Sequence, residues 1–205
     1  MGIMDAAKTI YKDVIGYKAN GCNGIVEDGS QRSFFPNGFA FYVYASTLFD
    51  TSVDFEALKE DYFSHAYGED WRAVADFFEK IGAVADYRFM NGKLSSDSEK
   101  GVYYNPDFAE KLAELPKIVE EFTPFVESHR NMPKRAQTVA YKILRLYLEY
   151  CLLLSKALRS RALGDDEKSR IECAELFDSF GKHEIEIERW YDQHMAYASI
   201  KRIFK

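Results

Sequence analysis

The chain has 205 residues, of which 47% are apolar and 29% are charged, so it is long enough for one large domain of ordinary globular composition. Its net charge of −6 argues against nucleic acid and anionic membrane surfaces as partners, because both require a basic face. Aromatic residues make up 16% of the chain, and we expect most of them to fill wide gaps between helices.

Motifs for cofactor or metal chemistry are absent from the sequence. It contains no P-loop, dinucleotide fingerprint, nucleophile elbow or zinc-binding histidine pair, so we expect no cofactor and no metal. Its three cysteines form no CxxC pair and are too few for a disulfide framework. The N-terminus lacks the pattern of a signal peptide, and no apolar run is long enough for a transmembrane helix. These features favour a soluble protein of the cytoplasm.

Helical periodicity dominates the sequence. Residues 3–18 carry apolar side chains at helical spacing, and the Asn20-Gly21 pair is a good C-terminal stop. Ser52 or Asp54, then Asn105 and Asp165, are suitable N-caps for later helices. Prolines 116 and 124 predict breaks or kinks, and the helix after Met132-Pro133 is predicted to be the central element. The later helical segments are predicted over 38–49, 54–67, 70–91, 107–130, 132–163 and 165–204, and Gly181 is the candidate interruption of the last one.

One short run differs from this pattern. Gly24-Ile25-Val26 is β-branched and bounded by glycines, which predicts a strand from Cys22 to Glu27. A single strand cannot satisfy its own backbone groups. The run is therefore a loop, or its partner strands lie on another chain or in a missing N-terminal region. A helix, a turn and a strand ending in acids form the pattern of one step of a parallel α/β barrel.

The predicted fold class is mainly α, an antiparallel helical bundle with a short N-terminal αβ remnant of a (β/α)8-type barrel. Residues 1–50 would form the αβ junction segment that resembles the end of a barrel. Residues 51–205 would form the helical bundle domain. The weakly hydrophobic stretch 93–104 is the best candidate for a further internal boundary.

Candidate site residues follow the predicted strand. Glu27 and Asp28 would lie at its C-terminal end, where barrels place their chemistry. Carboxylates and the Arg32 guanidinium can bind sugar hydroxyl groups, and the rings of Phe34 and Phe35 can pack on the apolar faces of a sugar. The alternative interpretation of Glu27 and Asp28 is an ordinary acidic turn.

The segments 21–29, 39–49, 53–58 and 62–68 resemble the C-terminal part of a bacterial glycoside-hydrolase-like family. That family has no assigned function and is distantly similar to α-glucuronidases and β-hexosaminidases. The resemblance covers roughly residues 1–90. Most of a barrel is absent from this chain, and adjacent strand residues point to opposite faces. Glu27 and Asp28 are therefore assigned as substrate contacts and not as a catalytic pair.

Two functional hypotheses remain. In the first, the chain is the C-terminal helical portion of a carbohydrate-active, glycosidase-like protein and is not catalytic by itself. Its partners would be a carbohydrate ligand and either a homodimer or a missing N-terminal barrel region. In the second, the chain is a self-contained helical interaction or scaffold domain, with aromatic grooves for a protein or a small ligand. Whether the chain forms part of a glycoside hydrolase is left open by its residues.

Overall fold

The computed structural model of the chain describes residues 1–27 and 32–205. Within these ranges the protein is built from helices and contains no β-strand, which confirms the mainly α class. Two short 3-10 helices span Ser98–Lys100 and Arg202–Phe204. The α-helices are α1 (Ile3–Ala19), α2 (Phe39–Phe49), α3 (Phe55–Tyr67), α4 (Trp71–Val84), α5 (Tyr87–Met90), α6 (Pro106–Leu112), α7 (Leu115–Ser128), α8 (Arg135–Ala162), α9 (Asp166–Gly181), α10 (Glu184–Ile187) and α11 (Gln193–Lys201).

Several helices begin at the residues that the sequence predicts. The side chains of Asp54, Asn105 and Asp165 each accept a hydrogen bond from the backbone N–H group three residues further on. Each of these bonds satisfies one of the donors that the first turn of a helix leaves free. At its other end α3 stops at Tyr67, because Gly68 has a φ of 81° that favours glycine. Local chemistry therefore sets these ends.

The prediction of one continuous helix over 70–91 is wrong, because this segment forms two helices, α4 and α5. Ala85 leaves the helical conformation, and the Asp86 side chain then accepts a hydrogen bond from the Arg88 N–H group. The prolines also behave differently from each other. Pro116 lies in the first turn of α7, where a missing N–H costs nothing, whereas α7 continues through Pro124.

The longest helix, α8, is the central element, as predicted. It has 28 residues and packs against α3, α6, α7 and α9. Aromatic rings from separate helices meet beside it and are fully buried, which confirms that much of the aromatic content fills the core. The ring of Phe78 lies 6.0 Å from that of Phe63 and 5.6 Å from that of Tyr147. Edge and offset contacts of this kind add to the gain from burial alone.

The first helices share this core. α1 packs against α2 and α4, and α2 packs against α3. Buried apolar side chains form one cluster that includes Met4 near the N-terminus and Phe204 near the C-terminus. The predicted division after residue 50 stays a prediction. No helix among the described residues combines the length and the apolar character needed to cross a membrane.

The predicted strand over Cys22–Glu27 is wrong. This segment has no regular secondary structure and is exposed. The Cys22 N–H group donates to the Tyr17 carbonyl oxygen at the end of α1. Because the described part of the chain offers no neighbouring strand, the β-branched side chains of this run have no sheet to join. The loop alternative describes the segment correctly, and the barrel remnant is not supported.

Exposed apolar side chains lie within this segment and beside it. Val26 is fully exposed and Phe49 is 95% exposed, and Tyr17, Ile25 and Leu48 are each about half exposed. Patches of this kind often mark interaction surfaces. The predicted partners, a homodimer or a missing N-terminal barrel region, both stay predictions.

The three cysteines should react very differently with a thiol reagent. Cys22 is exposed, whereas Cys151 and Cys173 are buried. Burial raises the pKa of the Cys151 thiol to about 12 and that of Cys173 to about 11, so neither forms the reactive thiolate near neutral pH. We expect a disulfide reagent to modify one thiol rapidly in the native chain and all three in urea. Rapid modification of two or three native thiols would contradict this packing.

Candidate functional site

The predicted site residues lie in different environments. Glu27 is exposed, and its hydrogen bond with the Tyr44 hydroxyl raises the pKa of that tyrosine. Asp28 lies outside the described residues. Arg32 forms an ion pair with Asp192, which follows α10 in a distant part of the sequence. Glu27 and Arg32 therefore each contact another side chain of the protein.

The loop that contains Arg32 is held by backbone hydrogen bonds. The Phe34 N–H group donates to the Trp190 carbonyl oxygen at 2.7 Å, and the Asp192 N–H group donates to the Arg32 carbonyl oxygen at 3.0 Å. Ser33 and Tyr191 thus form an isolated antiparallel bridge. The segment 32–35 is fixed against the segment 190–192, so both take part in one local structure.

Phe34 and Phe35 face different surroundings. The Phe35 ring lies within 5.7 Å of four other aromatic rings, measured between centroids, and it packs against the core. The Phe34 ring is 39% exposed and contacts the ring of Phe41 at 5.1 Å. It also forms part of the wall of a cavity. Of the predicted site residues, Phe34 alone is both described by the structure and in contact with this cavity.

The cavity lies between α3 and α8 and has a volume of about 590 Å³. From α8 it is lined by Arg135, Ala136, Val139, Ala140 and Ile143. These positions follow the spacing of one helix face, so the geometry of α8 alone brings them to the same surface. Most of this wall is aliphatic, and Arg135 adds a positive charge at the start of the helix.

The remaining walls come from α3, the loop before α2 and the turn after α10. α3 contributes Tyr62, Ala66 and Tyr67, and Trp190 comes from the turn. The loop contributes Phe34, Pro36, Asn37 and Gly38. The Tyr62 hydroxyl accepts a hydrogen bond of 2.7 Å from the Gly38 N–H group, which attaches the loop to α3.

Two polar groups in the wall lack a hydrogen-bond partner of good geometry among the described residues. These groups are the Asn37 Nδ2 and the Tyr67 hydroxyl, and both are buried. Asn37 Oδ1 accepts a hydrogen bond from the Phe39 N–H group at 3.1 Å, which leaves its amide N–H₂ as the free end. Burial raises the pKa of Tyr67, and the neighbouring Asn37 amide offsets a small part of that rise.

The start of α8 is electrostatically unusual. Its N-cap, Lys134, makes no side-chain hydrogen bond, and the first turn contains no acidic residue. Arg135 is exposed, and no ion pair joins it to any residue in the described ranges. Cations at a helix N-terminus oppose the helix dipole, so this arrangement costs stability and favours the approach of an anion.

The cavity has the character of a binding site. Its described lining has no carboxylate, imidazole, thiol or primary amine, and so it lacks the groups that commonly act as nucleophile or general base. In the described ranges no three His, Cys, Asp or Glu side chains are arranged to hold a metal. Apolar walls with a few polar groups suit the binding of a small organic molecule.

Sequence reasoning missed most of this lining. Asn37 was visible only as part of a Pro-Asn-Gly loop signal, and Arg135 only as the start of a helix. The helical segment predicted over 165–204 would put Ile187, Trp190 and His194 on one helix face, and this prediction is wrong. α10 ends at Ile187, Trp190 lies in a turn and α11 begins at Gln193.

No protein-family model matches this chain, and neither the curated proteins nor the solved structures include a significant match. The resemblance to a glycoside-hydrolase-like family therefore stays a prediction.

Proposed function

We propose that this chain is a self-contained helical ligand-binding domain, and that the cavity between α3 and α8 takes a small, mainly apolar molecule. The observation that carries this proposal is the cavity of about 590 Å³, which has aliphatic and aromatic walls and few polar groups. Small-molecule sites in proteins have volumes of about 300–1,000 Å³ and this same composition.

Burial of apolar surface would supply the affinity. A molecule that loses about 250 Å² of apolar surface gains about 6 kcal/mol. The freedom of motion that it loses on binding offsets part of this gain. We therefore expect dissociation constants between micromolar and millimolar for a simple alkyl probe.

Trp190 offers a direct measurement. The chain has two tryptophans, Trp71 and Trp190, and only Trp190 lines the cavity. In the Trp71→Phe variant, titration with octanol should change the Trp190 fluorescence and reach saturation. Thermal unfolding of the variant provides the control for its folding. A change that stays linear up to the solubility limit of octanol, or no change, would exclude this site as an apolar pocket.

The carbohydrate-active hypothesis is a second proposal, supported by the sequence resemblance over residues 1–90. Phe34 and Trp190 in the cavity wall could stack on a sugar ring. The same titration with glucuronate and with N-acetylglucosamine tests it. Saturable binding of either sugar without binding of octanol would favour the carbohydrate proposal over the apolar one.

A further inference from the structure

We infer that the ligand of this cavity carries a carboxylate, which binds Arg135 and the amino end of α8. This inference rests on the proposed function and adds the chemical class of the ligand. The expected ligand is a monocarboxylic acid with an apolar body. The aliphatic walls would hold the body, and the start of α8 would hold the charged group.

The first support is the charge of Arg135. Some arginines of this acidic chain form ion pairs, for example Arg32 with Asp192 and Arg88 with Asp86, whereas others such as Arg145 and Arg170 form none among the described residues. Arg135 has no ion-pair partner in the part of the chain that the structure describes, yet it lines the cavity. A guanidinium group can donate two parallel hydrogen bonds to one carboxylate, which makes it a specific partner for this group.

The second support is the backbone of the same turn. The first helical N–H groups of an α-helix have no partner within the helix. At the start of α8, Gln137 and Thr138 donate to the Lys134 carbonyl oxygen, whereas the N–H groups of Arg135 and Ala136 have no hydrogen-bond partner in the described ranges. Both of these residues line the cavity. An anion here would also gain from the dipole of a 28-residue helix.

The third support is independent of the helix. The amide of Asn37 is 9% exposed, and its Nδ2 has no partner of good geometry in the described chain. Its oxygen accepts a hydrogen bond from the Phe39 N–H group, so the amide end that lies near the Tyr67 hydroxyl is a donor. The described lining thus offers a guanidinium group, backbone N–H groups and an amide donor, but no acidic side chain. This set suits a ligand that accepts hydrogen bonds and disfavours an amine.

Three probes with the same alkyl chain test the inference: octanoate, octanol and octylammonium. In the Trp71→Phe background, octanoate should bind about tenfold more tightly than octanol, which corresponds to one charge-assisted hydrogen bond. Octylammonium should bind most weakly. Arg135→Gln should lower the octanoate affinity about tenfold more than it lowers the octanol affinity, so that the preference for octanoate is lost.

Lys134→Gln is the matched control, because Lys134 carries the same charge at the same helix end but does not line the cavity. It should change the octanoate affinity by less than about twofold. Arg135→Gln should also raise Tm by about 1–2 °C, because a cation leaves the helix N-terminus.

The outcomes separate the two proposals. If octanol binds as tightly as octanoate, the inference is overturned and the apolar pocket remains. If no probe binds, both proposals fail. Equal effects of Arg135→Gln and Lys134→Gln would also overturn the inference, since they would indicate general electrostatic attraction in place of a contact with Arg135.

Discussion

Replacement of Phe35 by alanine is expected to lower the free energy of unfolding by about 3 kcal/mol, the lower end of the range for Phe→Ala changes in a core, because this ring is partly buried against the core. The ring of Phe35 contacts the rings of Tyr147, Tyr150, Phe180 and Tyr191. Its removal would leave a void where the loop before α2 meets the core. Urea unfolding followed by circular dichroism measures this loss.

Phe34→Ala is the matched control, because it removes the same side chain from the neighbouring position. Its ring is 39% exposed and packs on Phe41 at the edge of the cavity. We expect it to cost less than about 1 kcal/mol of stability and to weaken octanol binding. Equal losses of stability in the two variants would show that the division between core and cavity wall is wrong.

Ala140→Phe is expected to lower the affinity for octanol and octanoate by at least tenfold. Ala140 lines the cavity from α8 and is half-buried. Long side chains on a helix lean toward its N-terminus, so the new ring would lie over the turn that contains Ala136 and fill the cavity there. Isothermal titration calorimetry of the two probes measures the effect without depending on Trp190.

The control for this change is Ala140→Ser, which alters the same position and leaves the space open. It should bind both probes with affinities within about threefold of those of the parent chain. If Ala140→Phe remains folded and still binds octanol normally, the binding site lies elsewhere on the protein.

Much of the helical fold could be predicted because its signals are local. The caps Asp54 and Asn105 and the stop at Gly68 act within a few residues. The sequence places Asn105 and Gly68 directly and offers Asp54 as one of two candidate caps, with Ser52. Hydrophobic spacing also identified α8 as the central helix. The break at Ala85 was missed because apolar spacing continues across it and obscures the cap at Asp86.

The predicted strand failed for the opposite reason, because a strand depends on its neighbours. Ile25 and Val26 have strong β preference, but this preference reflects packing on a sheet. In the described chain they meet no second strand, so the segment remains irregular and exposed. Composition and local pattern cannot show whether a partner exists.

The composition of the candidate site depends even more strongly on contacts between residues that are far apart in the sequence. The loop with Phe34 and Phe35 is fixed against Trp190 and Tyr191, and the Arg32–Asp192 pair spans 160 residues. No periodicity relates these two segments. For the same reason, neither the packing of Phe35 against the core nor the presence of Asn37, Tyr67 and Arg135 in one cavity wall could be derived from spacing.

The sequence by itself determined that this protein is helical, where many of its helices begin and end, and that aromatic rings fill its core. These properties arise from the periodicity of apolar side chains and from caps that act within one helical turn. Only the tertiary structure shows which aromatic residues line the cavity and not the core, and which polar groups lie in the cavity wall. The position of each of these side chains depends on contacts between segments that are far apart in the chain, and local sequence patterns do not specify such contacts.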